Sequence, residues 1–167
     1  MATYPVSPPS IYKAVNGAMG YLAYLPPDNN GFNAGALVYQ NGSQASECGT
    51  NPTAILGIAG IGSNDRWVAT YGKGAEFSLT VPINIIYDDT IVEMTLLGTL
   101  ASTDIGASFG LTKDTNTGYW CVNKNDTTNT RVMVIGLPDT YQTKFAVGDT
   151  NPRVLVKFLA NYLQASK

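Results

Sequence analysis

Asp88 and Asp89 stand side by side, and paired carboxylates are a common means of general acid–base chemistry. That chemistry needs two carboxyl groups converging across a cleft, about 5 Å or more apart. Neighbours in an extended chain point to opposite faces, so this pair is read as a solvated turn. Residues 114–118, Asp-Thr-Asn-Thr-Gly, resemble half of a calcium loop. The third oxygen ligand before the glycine and the closing glutamate are missing, so no metal is expected there. Gly60 with Gly62, and Gly72 with Gly74, lack the spacing of a phosphate-cradling loop and the helix that should follow it. The chain contains no histidine, which removes His-based triads, most zinc sites and the commonest general base. No serine sits in a nucleophile-elbow context. The expectation is a protein that is not an enzyme, with no catalytic residues, no metal and no cofactor. An enzyme whose groups converge from distant positions is the least favoured reading.

Two further residue types bear on function. Cys48 and Cys121 are the only cysteines. They are read as free thiols, with Cys121 buried beside Trp120, because a reducing compartment disfavours their pairing. Trp67, Tyr71, Tyr119 and Trp120 form either a sugar-stacking platform or part of the core and subunit contacts; the second reading is favoured.

The composition narrows the class. At 167 residues the chain fits one domain with a separate arm. Hydrophobic residues make up 44% and charged residues only 13%, against a usual charged share of about 25%. Such a surface is bland and neutral-polar, suited to a protein partly covered by partners or to one that works outside cells. A net charge of -2, with lysines and arginines scattered singly, argues against nucleic acid. No apolar run approaches the roughly 20 residues needed to span a bilayer. No signal segment is read at the N-terminus, so synthesis in the cytoplasm is expected.

The elements follow from the turn chemistry. Residues 1–12 are read as an extended N-terminal arm, because Pro5, Pro8 and Pro9 fix the backbone and remove donors. Tyr4, Ile11 and Tyr12 give it more apolar surface than an idle tail needs. It either packs on its own domain or reaches a neighbouring subunit. Residues 13–167 form a single β-rich domain. Residues 21–25 are a strand ended by Pro26 and Pro27. An apolar run at 36–39 is followed by an Asn41-Gly42 turn, a polar loop over 43–53, and a second apolar run at 55–59. Gly57 inside that run signals a bulge or a close backbone approach. Strands are predicted at 67–71, 77–81, 83–87 and 91–97, the last two as a hairpin. Others are predicted at 109–111, 119–122, 131–137 and 141–147. From 153 the valines favour a strand to about residue 158 with a short terminal turn, while Asn151 and Pro152 equally suit a helix start. Short strands at ten-residue spacing predict a mainly β fold, an antiparallel barrel or sandwich.

Residues 34–61 show a strand entered through Gly35, a turn, an acid-bearing polar loop and the strand Ile-Leu-Gly-Ile-Ala. With the closing segment 147–157, this pattern resembles the head decoration (cement) proteins of tailed bacteriophages. The resemblance implies a β-tulip-like fold that binds the outside of a capsid and stabilises the head. It implies the major capsid protein as partner, commonly a homotrimer, and a place on the virion exterior. Threefold linkage of weak footprints gives tight attachment, and cyclic symmetry closes the assembly. In that picture Tyr4, Pro5, Pro8, Pro9, Ile11 and Tyr12 are the candidate subunit or capsid contacts. The alternative is a carbohydrate-binding or adhesive β-sandwich on a virion or cell surface.

Overall fold

From Arg153 to Phe158 the chain alternates, and burial alternates with it. Val154, Val156 and Phe158 are buried, while Arg153, Leu155 and Lys157 are half-buried. This period of two marks a strand with one face on a core, and the same logic places most of the others. The computed structural model describes residues 1–13, 22–28, 30–62, 80–139 and 144–165. Among them eleven strands form two sheets. The strands expected at 67–71 and, up to residue 79, at 77–81 lie outside the described residues.

The first sheet holds β2 (Leu22–Leu25), β3 (Leu37–Asn41), β4 (Gln44–Glu47), β5 (Gly57–Ala59) and β6 (Val81–Ile85), in the order β2-β6-β5-β3-β4. All its pairings are antiparallel. Gly42, at φ 60, makes the tight turn between β3 and β4. The sequence assigns residues 44–47 to a loop, but they return as β4 with Ala45 and Ser46 buried. Turn geometry and pairing with β3 override the weak strand preference of Gln-Ala-Ser-Glu.

The second sheet holds β1 (Ser10–Lys13), β7 (Ile91–Leu97), β8 (Ser108–Lys113), β9 (Trp120–Asn123), β10 (Val132–Gly136) and β11 (Arg153–Phe158). Its order is β1-β7-β11-β10-β8-β9, and a parallel pairing of β7 with β9 closes the last five into a barrel. The mainly β barrel expected from strand spacing is therefore present, with one parallel pair among antiparallel ones. Val92, Met94, Leu96, Leu111, Trp120 and Val122 fill its interior at 0–1% exposure. Burying a large aliphatic side chain contributes about 1.5–3 kcal/mol, so these residues dominate barrel stability. They belong to one continuous core that also takes in Leu37, Ile58 and Ile83 of the first sheet, and Ile55 just before β5.

Two expectations are corrected. Residues 83–87 and 91–97 do not form a hairpin, because β6 lies in the first sheet and β7 in the barrel. The Ile86 N–H donates to the Leu56 carbonyl, which prolongs the β5–β6 pairing. Thr90 Oγ1 then accepts from the Tyr87 N–H and turns the chain towards the barrel, through Asp88 and Asp89. Of the strand expected at 141–147, residues 141–143 lie outside the described residues, Lys144 makes only an isolated bridge to Asp139, and residues 145–147 are not a strand. They enter a turn closed by the Asp149 N–H on the Ala146 carbonyl. At the C-terminus the strand reading holds, with a short 3-10 turn at Ala160–Tyr162 after β11.

Candidate functional site

Residues 1–13 lie along their own barrel, fastened at three places. The first is Asp149, 6% exposed. Its Oδ1 accepts the Ala2 N–H at 2.7 Å and its Oδ2 accepts the Ala146 N–H at 2.9 Å. The Tyr4 hydroxyl donates to the same Oδ2 at 3.4 Å. Backbone bonds from Tyr4 N–H to the Thr150 carbonyl, and from Thr150 N–H to the Ala2 carbonyl, run beside it. The Tyr4 ring packs edge-on against Phe145, with centroids 4.7 Å apart.

The second fastening is Thr95, fully buried on β7. Its Oγ1 accepts the Ser7 N–H at 3.2 Å. The third is Arg153 at the start of β11. Its Nε donates to Glu93 Oε1 at 2.8 Å, and its terminal nitrogens donate to the carbonyls of Ser7 (3.1 Å), Pro8 (2.8 Å) and Glu93 (3.0 Å) and to Ser10 Oγ (3.1 Å). A planar fork with fixed donors suits this task, holding proline-rich backbone through its carbonyls where N–H groups are missing. Gly35, at φ +80, lets the arm approach, since a Cβ there would lie 2.7 Å from Pro8 Cβ. β1 then pairs with β7, Ser10 opposite Glu93.

The six candidate contact residues consequently divide. Pro9 is buried, Tyr4 and Ile11 are half-buried, and Pro5, Pro8 and Tyr12 face solvent. Neither Asp149 nor Arg153 was singled out from the sequence. Asp149 sits in a Val-Gly-Asp-Thr stretch that reads as turn chemistry, and Arg153 occupies a polar position of an alternating strand. The signal available was the charge itself, in a chain with so few.

Acid and base both act on the first fastening. Hydrogen bonds from Ala2, then Ala146, hold the Asp149 carboxyl below its ordinary value of 3.8. A depressed carboxylate pKa stabilises the fold above the unfolded value, and that contribution is lost as pH falls through the folded one. The Tyr4 phenol is raised above 10.0, by desolvation first and then by the Asp149 charge. Its contribution is present below 10.0 and lost as pH climbs through the folded pKa. The clasp should therefore hold from about pH 4 to pH 10 and loosen outside that window. Melting curves across pH should show Asp149→Asn flattening the acid limb and Tyr4→Phe flattening the alkaline one.

A polar contact joins the two sheets beside their shared core. Glu47 on β4 accepts from Trp120 Nε1 at 3.1 Å and pairs with Lys113 Nζ at 2.8 Å. Trp120 is 1% exposed, so it belongs to the core and not to a stacking platform. Trp67 and Tyr71 lie outside the described residues. Tyr119 is half-buried and lines a cleft of about 470 Å³ between the arm and the first sheet. Asp114 Oδ2 accepts from the N–H and the hydroxyl of Thr117, at 2.8 and 2.7 Å, which makes residues 114–117 a local turn.

Cys48 and Cys121 are free and buried. Burial, and then the Glu47 charge, pushes the Cys48 thiol up to about 12. Burial, and then the Asp114 charge, does the same to Cys121, again to about 12. Thiolates are the reactive form, so neither cysteine should be alkylated by iodoacetamide at pH 7 while the chain is folded. Mass spectrometry should find both modified after denaturation in guanidinium.

No family model, curated protein or solved structure matches this chain.

Proposed function

We propose that this chain is a structural virion protein, binding the outer surface of a phage capsid as a homotrimer and stabilising the head. The observation that carries the reading is a set of large uncharged side chains presented outward on strands, two of them on one face of β2. Leu22 and Tyr24 on β2 are 48% and 60% exposed, and Tyr12 on β1 is 41% exposed. Tyr24 stands in register with the half-buried Pro82 of β6, and Leu22 with the half-buried Asn84. Exposed apolar strips rimmed by polar residues mark surfaces that meet a partner, and tyrosine is enriched there. The resemblance of residues 34–61 and 147–157 to head decoration proteins names the partner as the major capsid protein.

Tyr12, with Pro5 and Pro8, remains a candidate for the shell or subunit contact, presented by the barrel to which the arm is fastened. A modest footprint repeated three times gives firm attachment by avidity. The test is sedimentation of the purified chain with undecorated phage heads. Saturable binding, lost on Tyr24→Asp in a chain that stays folded by circular dichroism, supports the reading. A folded chain that stays in the supernatant at every head concentration overturns it.

A further inference from the structure

We infer that the cleft between the arm and the first sheet is a binding site for an uncharged oligosaccharide. Its volume of about 470 Å³ falls within the roughly 300–1,000 Å³ usual for small-molecule sites. Its chemistry points to one ligand class. The described residues that line it include no Asp, Glu, Lys or Arg. The hydrogen-bonding side chains there are those of Ser10, Asn84 and Tyr119, all neutral.

A pyranose has an apolar C–H face and a rim of hydroxyls. The Tyr119 ring offers a flat surface for such a face. An Asn amide offers a donor and an acceptor side by side, which matches vicinal hydroxyls. The Asn84 amide nitrogen lies 3.8 Å from where a Cβ on Gly60 would stand, so that glycine leaves room beside it. Ser10 Oγ already accepts from Arg153 at 3.1 Å, which leaves its own hydrogen to donate. Pro8 adds an apolar wall, held in place by its carbonyl on Arg153 at 2.8 Å. A proline-rich peptide docks on grooves lined by several aromatics, whereas Tyr119 is the one aromatic ring among the described lining residues.

Asn84 stands in register with Leu22 of the outward face, whereas Tyr119 is none of the residues assigned to head attachment, so Tyr119→Ala is the variant that lets sugar binding fail while head attachment stands. The test is calorimetric titration of the full chain with maltotriose, cellotriose and chitotriose. Sialyllactose serves as a charged control and a proline-rich peptide as the competing class. Saturable binding of at least one neutral trisaccharide is expected, weakened about tenfold by Tyr119→Ala and also weakened by Asn84→Ala. Tyr119→Phe keeps the ring and should retain most of the affinity, which separates stacking from misfolding. Silence with all three neutral sugars overturns the proposal. So does binding that Tyr119→Ala leaves intact, or binding of the peptide or the charged sugar alone.

Discussion

Replacing Arg153 with methionine should lower the unfolding free energy by about 3–5 kcal/mol and free residues 7–10 from the barrel. The magnitude follows from what the substitution strands. Glu93 keeps a carboxylate whose side chain is only 18% exposed, now without its cation. The carbonyls of Ser7 and Pro8 lose a charged donor, and bonds to charged groups are worth about 1.5–3 kcal/mol each. Because an orphaned partly buried charge accounts for much of the loss, adding Glu93→Gln should recover part of it. Urea denaturation of the single and double variants measures both effects. Limited proteolysis should cut the Arg153→Met chain near its N-terminus and leave the parent intact. A variant as stable as the parent would mean that the arm hangs on backbone pairing alone.

The second large effect is expected at Gly57. A Cβ there would overlap the Asn84 carbonyl oxygen and lie 2.9 Å from Ile83 Cγ2. The oxygen belongs to backbone of the paired strand β6, so only a separation of β5 from β6 relieves the overlap. Overpacking usually costs about 1–3 kcal/mol, occasionally more, and a backbone obstacle places Gly57→Ala at the upper end. For a chain of this size that is a fall in melting temperature on the order of 10 °C. Gly49→Ala is the control, since a Cβ there meets nothing within 4 Å. Differential scanning calorimetry of the two variants should separate them clearly.

Gly57 also shows how far the sequence could be read. A glycine inside an apolar β run signals a close backbone approach, and the structure supplies the approaching strand. β8, β9 and β10 were legible because their apolar residues alternate or cluster between turn signals, whereas β11 was not separable from a helix started at Asn151 and Pro152 until its pairing with β7 and β10 was seen. β4 was not, because Gln-Ala-Ser-Glu has no strand pattern of its own and is held by the hairpin. The assignment of β6 and β7 to different sheets was hidden as well. It depends on a hydrogen bond from Ile86 to Leu56, thirty residues back in the chain. The arm's extended backbone followed from its prolines. Its attachment did not, because Asp149 and Arg153 act across more than 140 residues of sequence. For Trp120 the core reading, favoured from the sequence over a stacking platform, is the one its burial bears out.

Hydrogen exchange on the free chain most directly tests whether residues 1–13 are part of the folded barrel. The Tyr4 amide donates to the Thr150 carbonyl and the Ser7 amide to Thr95 Oγ1. Both should exchange slowly, as the amides of β7 do, in the protein alone and without any shell present. Exchange at the rate of an unstructured peptide at both positions would contradict a self-fastened arm, and would return that segment to the role of a free tether.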